Sequence, residues 1–374
     1  MRHIQNIFRL GVKELRSLWR DPMMLVLIVY AFSVGIYVAA TGIPETLHKA
    51  PIAIVDEDQS PLADRINGAF YPPHFAAPSL EGLSDVDKGM DAGKYTFALD
   101  IPPDFQRDVL AKRQPTIQLN VDATRMSQAF SGGGYIQQIV QGEVAEFMAG
   151  TRKSAAMPAE LALRARFNPN LTQSWFASLM EIINNVTMLS IVLTGAALIR
   201  EREHGTIEHL LVMPVTPFEI MASKVWAMGL VVLAACAFSL VIVVRGVLQV
   251  PIEGSIALFL LGAGLHLFAT TSMGIFMGTI ARSMPQFGLL LMLVLLPLQM
   301  LSGGMTPRES MPQIVQTIML VAPTTHFVKM AQAILYRGAG FDVVWPQFLA
   351  ILAIGSAFFA IALSRFRSTI STMA

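Results

Sequence analysis

The chain has 374 residues, of which 53% are hydrophobic and only 14% are charged, and its formal net charge is +1. Because a soluble domain is about 25% charged, this composition argues against a soluble protein and favours an integral membrane protein. Nucleic-acid binding is not expected because no basic face is interleaved with aromatic residues, and the single cysteine, Cys236, excludes a disulfide within the chain.

Residues 1–21 predict an amphipathic helix that lies in the membrane interface. At about 100° per residue, apolar side chains from Ile4 to Trp19 fall on one side, and basic side chains from Arg2 to Arg20 fall on the other. The alternative is the charged start of a cleaved signal peptide. It is disfavoured because the apolar run that follows exceeds the roughly 7–15 residues of a signal-peptide core, and because five more such runs come later.

Six stretches that lack Asp, Glu, Lys and Arg predict six transmembrane helices. Each is about 18–28 residues long, and about 20 apolar residues in a helix cross the roughly 30 Å hydrocarbon layer. The stretches are Met23–Pro44, Ile182–Ile199, Val225–Val244, Gly254–Ala281, Ser283–Pro307 and Val343–Ser364. The predicted fold class is a polytopic α-helical membrane protein, with transmembrane helix 1 at 22–44 and helices 2–6 within 174–374.

Basic flanking residues predict how the chain is oriented, because such flanks stay in the cytoplasm. The basic N-terminus, Arg200, Lys224, Arg282 and Arg365 all fall on one side of the predicted helices. We therefore expect a multi-pass protein of the bacterial inner membrane with both termini in the cytoplasm. The large segment between helices 1 and 2 then lies in the periplasm.

This segment, residues 45–173, is long enough for one domain and has the pattern of an α/β domain. Three stretches predict strands: Pro51–Val55, Tyr95–Leu99 and Thr116–Val121. Ser60 can cap a helix that continues to Phe70. Ser127–Arg152 predicts a long helix that the glycines at 132–134 interrupt.

The predicted cytoplasmic loop, residues 200–223, joins helices 2 and 3. Gly205 should break the preceding helix, Thr206 can cap a short new one, and Pro214 should end it. Such a short helix at the membrane surface can press into a groove of a cytoplasmic partner. His204 and His209 are five residues apart and do not share a helical face, so no metal site is expected.

The pattern Glu-x-Glu-x-Gly-Thr-Ile-Glu-x-Leu-Leu-Val-x-Pro, at Glu201–Pro214, resembles the coupling loop of ABC-2 type export permeases. The resemblance covers nearly the whole chain. It includes Pro51–Asp58, Asn168–Asn170, Leu301–Gly304 and Pro323–Phe327. The chain is most similar to the subgroup that has a large periplasmic domain and works with a periplasmic membrane-fusion adaptor.

The resemblance implies a homodimer, or a heterodimer of closely related permeases, that binds two cytoplasmic ABC ATPase subunits as well as the adaptor. It implies that residues at or beside the ATPase contact are Glu201, Glu203, Gly205, Thr206, Glu208, Leu210, Leu211 and Pro214. It also implies a re-entrant region at 305–342. Sequence agrees, since Met311–Thr325 is apolar but too short and too interrupted by proline to span.

Two glycine-rich segments resemble nucleotide-binding motifs and depart from them. Gly89–Tyr95 has three residues between its glycines where a phosphate loop has four, and no Ser or Thr follows its lysine. Leu301–Met305 resembles the signature loop of ABC ATPases, but no Walker A motif precedes it. We therefore expect no catalytic residue and no cofactor in this chain, with ATP and Mg²⁺ bound by a partner subunit.

Polar residues within the predicted helices are candidates for a substrate path. Glu181, Asn184 and Asn185 follow helical spacing on helix 2, and Gln299 and Ser302 lie on helix 5. The alternative is that these residues form hydrogen bonds between helices. On helix 4, His266 is interpreted as a packing residue rather than a proton relay, because no acidic residue shares that helix.

These patterns favour the membrane subunit of an ATP-driven exporter that moves a drug-like or lipid-like amphiphile outward. One alternative is an ion-coupled secondary transporter, which predicts charge near the bilayer midplane and paired broken helices. The other is a membrane sensor or scaffold with a periplasmic receptor domain, which predicts a cytoplasmic output domain. The sequence has one carboxylate at the edge of the predicted helices, Glu181, no internal repeat, and about ten residues after Arg365.

Overall fold

The computed structural model describes residues 2–42, 47, 49–124, 126–150, 173–203 and 214–371. It divides into two compact units. The membrane bundle comprises Met1–Gly42 and Ala165–Ala374, and the inserted domain is Ile43–Arg164.

Six helices of the described chain are long and apolar enough to cross a membrane, which confirms the predicted fold class. They are span 1 (Pro22–Thr41), span 2 (Ser174–Glu203), span 3 (Pro217–Val247), span 4 (Ile256–Ile280), span 5 (Met284–Leu301) and span 6 (Phe341–Ser368). Spans 2 and 3 extend beyond their charge-free stretches. Residues 200–203 and 217–223, predicted to lie in a loop, are therefore helical.

Capping side chains explain where four of the spans begin. Asp21, Thr216, Ser255 and Ser283 each accept a hydrogen bond from a backbone N–H in the first turn of spans 1, 3, 4 and 5, respectively. Proline occupies the first turn of three of these helices, where its missing N–H costs nothing. Polar residues beside the apolar stretches thus set the helix boundaries.

Span 2 is central to the bundle. In its most apolar 18-residue stretch, 83% of the residues are buried, against 17% in that of span 5. The close contact between span 2 and span 4 depends on small residues. A Cβ on Gly274 would lie 2.2 Å from Oγ1 of Thr194, so only glycine lets the two backbones approach this closely. Cys236 of span 3 is fully buried in the same core.

Two helices follow span 5 and are bent by 92° relative to one another: Gln313–Val321 and Pro323–Leu335. A short 3₁₀ turn, Arg308–Ser310, precedes them. The pair lies in the region predicted to be re-entrant, and its sharp bend at Ala322 is the shape that a re-entrant element or a broken span requires. Gly303, with φ of +94°, directs the chain out of span 5.

The inserted domain contains a four-stranded sheet of order β2-β1-β3-β4. The strands are β1 (Ile52–Asp56), β2 (Ser79–Leu80), β3 (Phe97–Ile101) and β4 (Gln118–Val121). β1 is parallel to β2 and β3, and β4 is antiparallel to β3. The described helices are Pro61–Gly68, Leu83–Asp91, Phe105–Leu110 and Met126–Ala149.

Alternate residues of β1 enter two separate cores, as the two-residue repeat of a strand requires. Ile52 and Ile54 pack in one cluster, and Ala53 and Val55 pack in the other, beside Tyr95. Helices therefore cover both faces of the sheet. This three-layer arrangement is the α/β domain that the sequence predicted.

The predicted interruption at residues 132–134 was wrong, because the helix Met126–Ala149 passes through all three glycines. Packing explains Gly132, since a Cβ there would lie 2.2 Å from Cζ of Phe97. β3 also begins two residues later than predicted, because Tyr95 and Thr96 lie in the connection that precedes it.

Candidate functional site

The N-terminal helix, Arg2–Trp19, packs on span 3 through a tryptophan. A Cβ on Gly11 would lie 2.1 Å from Cζ2 of Trp226, so glycine leaves space for this ring. Nε1 of Trp226 donates to the carbonyl of Ile7 at 3.2 Å, and the ring of Phe8 stacks on it at 5.9 Å. The helix thus has a face that contacts the bundle, in addition to the predicted apolar and basic faces.

This packing brings together four charged side chains, Lys13, Glu14, Glu201 and Lys224, which we call the charged junction. Nζ of Lys224, a residue that is 1% exposed, lies 3.0 Å from Oε1 of Glu14 and 2.7 Å from Oε2 of Glu201. Nζ of Lys13 lies 2.9 Å from the other oxygen of Glu201. Two cations and two carboxylates therefore neutralise each other, as a buried charge requires.

The two carboxylates of the junction differ in their electrostatic surroundings. Burial is the largest influence on Glu14 and raises the pKa of this carboxyl, the negative charge of Glu201 raises it further, and the Lys224 ammonium opposes both. Both carboxylates contact both lysines, but Glu201 lies closer to Lys13, at 2.9 Å against 3.9 Å for Glu14. Glu14 is therefore the carboxylate that binds its proton more readily than an ordinary glutamate.

The end of span 2 is also fixed to three other elements. Arg200 forms an ion pair with Asp21 at the start of span 1. Arg202 donates to two carbonyls at the end of span 4, those of Ala281 and Gly278, at 2.6 and 2.8 Å. Glu203 accepts a hydrogen bond from the backbone of Met284 at 3.1 Å. Movement of this end of span 2 would therefore act on spans 1, 4 and 5 together.

The start of span 3 is held by the same N-terminal helix. Glu219 forms a capping box with Thr216. Its Oε1 lies 3.0 Å from Nδ1 of His3 and accepts a hydrogen bond from Nδ2 of Asn6 at 3.0 Å. Both ends of the connection between spans 2 and 3 are thus attached to one helix.

A cavity of about 310 Å³ lies beside the junction, between the N-terminal helix and spans 2 and 3. Its lining residues are Lys13, Glu14, Ser17, Leu18, Ala197, Arg200, Glu201 and Met228. Lys13, Glu14 and Glu201 of the junction therefore border an open space.

Two of the predicted coupling residues, Glu201 and Glu203, belong to this site, and Pro214 is exposed. Gly205, Thr206, Glu208, Leu210 and Leu211 lie outside the described residues. Sequence reasoning missed Glu14, Lys224 and Glu219 as parts of the site. The available signal was a lysine close to an apolar stretch and a single acidic residue in a basic helix.

The predicted path residues of span 2 are only partly brought together. Nδ2 of Asn185, a residue that is 3% exposed, donates to the carbonyl of Ala31 in span 1 at 2.8 Å, which is a contact between helices. Glu181 and Asn184 are half-buried. Near the end of span 5, Gln299 is half-buried and Ser302 is buried.

His266 of span 4 is fully buried among packed side chains. Its ring stacks on Phe327 at 4.0 Å, and Nε2 lies 2.9 Å from Oγ1 of Thr187. These contacts are those expected of a packing residue. Among the described parts of the chain, no group of three or more His, Cys, Asp and Glu side chains is arranged to hold a metal ion.

Comparison with known proteins assigns this architecture to a family. The family described as ABC-2 family transporter protein matches residues 22–364, from span 1 to span 6. The chain belongs to the ABC-2 transporter family. It is 67% identical to the inner membrane transport permease YhhJ of Escherichia coli, over all of both chains. It is 27% identical to the probable multidrug ABC transporter permease YbhR of the same organism, over 95% of this chain and 96% of YbhR. It is also 27% identical to the probable multidrug ABC transporter permease YbhS, over 89% of each chain.

Family membership makes this chain an ABC transporter permease and a multi-pass protein of the inner membrane. Permeases of the family are typically not enzymes themselves, and membership implies partner subunits that hydrolyse ATP. The predicted resemblance to ABC-2 permeases is thus confirmed.

Proposed function

We propose that the chain is the membrane-spanning subunit of an ATP-driven exporter that moves a hydrophobic or amphiphilic substrate outward. Separate ATPase subunits, which bind ATP and Mg²⁺, supply the energy. Their movement enters the chain through residues 200–223. The observation that carries this proposal is the charged junction, because it joins both ends of that segment to the N-terminal helix.

The contacts of the junction support a specific route for the force. A push on residues 204–213 would act first on Glu201 and Glu219, which contact Lys13 and Asn6 of the N-terminal helix. Arg202 and Glu203 transmit the same push to spans 4 and 5. Rigid helices joined by buried ion pairs move as units, so a small displacement at the loop can rearrange several spans.

The charge pattern supports an orientation with the junction on the cytoplasmic side, since Arg200, Arg202 and the basic N-terminal helix flank it. Both termini are then cytoplasmic, and the inserted domain is periplasmic. There it is positioned to meet a membrane-fusion adaptor. The permease acts as a homodimer or as a heterodimer with a related permease.

Drug-like and lipid-like amphiphiles are the proposed substrates. YbhR and YbhS, relatives over most of their length, carry the description of probable multidrug ABC transporter permeases.

The test measures ATP hydrolysis by the complex of the permease and its ATPase subunits, reconstituted in liposomes. Glu208→Lys should abolish the stimulation of hydrolysis by the permease and leave the amount of inserted protein unchanged, because it reverses a charge within the coupling segment. Glu253→Lys is the matched control. This exposed glutamate lies in the connection between spans 3 and 4 at the other end of the bundle, and its variant should retain full stimulation.

Full stimulation by the Glu208→Lys complex would remove the coupling role from this segment. ATP hydrolysis by the permease reconstituted alone would refute the division of labour between subunits. Outward transport driven by a proton or sodium gradient without an ATPase would instead establish a secondary transporter.

A further inference from the structure

A second cavity lies at the end of the bundle opposite the charged junction. Span 2 places Phe176 near its first residue and Glu201 near its last, which separates the two sites by about 38 Å along the helix axis. The cavity measures about 380 Å³ and lies among the start of span 2, the segment after span 5 and the helix Pro323–Leu335. We call it the far cavity; its lining includes Phe176, Ser302, Arg308, Thr325, Lys329 and Arg337.

The far cavity carries unpaired positive charge. Three cations, Arg308, Lys329 and Arg337, line it together with one carboxylate, Glu309. Among the described residues, the side chains of Lys329 and Arg337 form no ion pair and no hydrogen bond. Only Arg308 has a polar partner, the carbonyl of Gln316 at 2.9 Å. The cavity therefore has a net positive charge available to an anion.

A buried hydroxyl adds a donor to this basic lining. Thr325 is 4% exposed, and its Oγ1 has no hydrogen-bond partner in the described part of the chain. It lies in the first turn of the 13-residue helix Pro323–Leu335, whose N-cap, Ala322, supplies no capping side chain. The positive end of a helix and a free hydroxyl both favour an anionic group.

An aromatic pocket of about 250 Å³ adjoins the far cavity and shares Phe176 and Arg337 with it. The other residues of this aromatic pocket are Trp175, Leu179, Val250, Pro251 and Tyr336. The rings of Phe176 and Tyr336 stack at 5.7 Å, and the Tyr336 hydroxyl donates to the carbonyl of Phe176 at 3.1 Å. An apolar pocket beside a few polar groups is typical of small-molecule sites.

We propose that the far cavity binds the acidic headgroup of an amphiphile whose apolar part occupies the aromatic pocket. The headgroup is a carboxylate, phosphate or sulfonate, which the lysine and the arginines contact while the Thr325 hydroxyl donates to it. This inference rests on the proposed function and narrows its substrates to acidic amphiphiles. The same chemistry is also present in anionic phospholipids of the bilayer, so the experiment separates the two sources.

The probe is 11-(dansylamino)undecanoic acid, added to the full chain in nanodiscs of phosphatidylcholine, with empty nanodiscs as the blank. Binding is measured as energy transfer from tryptophan to the dansyl group, since Trp175 lines the aromatic pocket. The double variant Lys329→Gln/Arg337→Gln should weaken the Kd at least tenfold, and Thr325→Val should weaken it severalfold. The single variant Lys329→Arg should bind the probe with the wild-type Kd, because it keeps the charge.

Arg245→Gln is the matched control. It removes an exposed cation from the end of span 3, which lies at the same end of the bundle but outside the cavity, and should leave the Kd unchanged. Wild-type affinity in the double variant would overturn the proposal, as would equal affinity for the acid and its methyl ester.

Nanodiscs that contain phosphatidylglycerol distinguish the sources of the headgroup. Displacement of the probe by this lipid identifies the acidic headgroup as that of a resident phospholipid, and retention of the probe identifies it as that of a transported amphiphile. Failure of this site is separable from failure of the proposed function. A wild-type chain that does not bind the probe but still stimulates its ATPase would refute only the site.

Discussion

The two ends of the membrane bundle differ in how they hold positive charge. At the charged junction, Lys224 is 1% exposed and contacts two carboxylates. In the far cavity, Lys329 and Arg337 are exposed and form no ion pair with any described residue. A lysine at one end is therefore part of the packed structure, whereas the cations at the other end are free to meet a ligand.

This difference follows from the cost of burying charge. A buried ammonium is stable only when carboxylates neutralise it, and removing one partner leaves the remaining charges uncompensated. An exposed cation keeps its hydration and contributes little to stability by itself. Substitutions in the junction should thus lower the stability of the folded protein, whereas substitutions in the far cavity should weaken ligand binding alone.

Removing each lysine tests this contrast directly and should give the largest effect. Lys224→Met removes the buried cation between Glu14 and Glu201 and should destabilise the protein by about 3–5 kcal/mol. Lys329→Met, the same substitution at an exposed position, should change stability by less than about 0.5 kcal/mol. Denaturant unfolding of both variants in detergent micelles measures the difference, and equal losses would remove the distinction between the two ends.

A triple variant separates the stability of the junction from its role in coupling. Lys224→Met combined with Glu14→Gln and Glu201→Gln leaves no buried charge unpaired, so most of the lost stability should return. Stimulated ATP hydrolysis should stay low, because the ion pairs that join span 2 to the N-terminal helix are absent. A triple variant with full stimulation would show that these ion pairs do not transmit force.

Gly11→Ala should produce an intermediate effect. The added methyl group would overlap the Trp226 ring, and overpacking of this kind costs about 1–3 kcal/mol. Gly264→Ala in span 4 is the control, since a Cβ there meets no atom within 4 Å, and should be neutral or stabilising by about 0.5–1 kcal/mol. The unfolding midpoint in detergent measures both, and two matching midpoints would contradict the close packing of the N-terminal helix.

The smallest expected effect is a pH dependence from Glu14. Because burial raises the pKa of this carboxyl above its ordinary value of 4.5, the folded state binds the proton more tightly than the unfolded state. The resulting stability is present below pH 4.5 and is lost as pH rises through the raised pKa. Glu14→Gln lacks this loss, so its stability should rise relative to wild type from pH 4.5 upward. A constant difference between the two proteins would contradict the raised pKa.

The membrane bundle was predictable from sequence because its signal is local. A stretch such as Val225–Val244 needs no partner to show that it is apolar and long enough to cross a bilayer. β1 was predicted for the same reason, since its apolar run is short and ends at acidic residues. The pattern around Glu201–Pro214 also identified the family before any structural comparison.

The charged junction could not be predicted in this way, because it joins residues that are far apart in sequence. Glu14 and Lys224 are separated by 210 positions. Each is unusual in its own neighbourhood, but neither neighbourhood indicates that the two residues meet. The prediction that the glycines at 132–134 interrupt a helix failed for a related reason. Gly132 fits a helix because the ring of Phe97 occupies the space of its side chain, which is a tertiary contact and not a local preference.

The burial of Cys236 has a practical consequence for testing motion. This only thiol of the chain is 0% exposed, so a water-soluble maleimide has no access to it in the folded protein. A single cysteine introduced at an exposed position, such as Pro214 or Met305, can therefore carry a fluorophore or a spin label without removal of the native residue. In the proposed homodimer, the distance between the labels of the two copies would then report movement during transport in an otherwise unaltered chain.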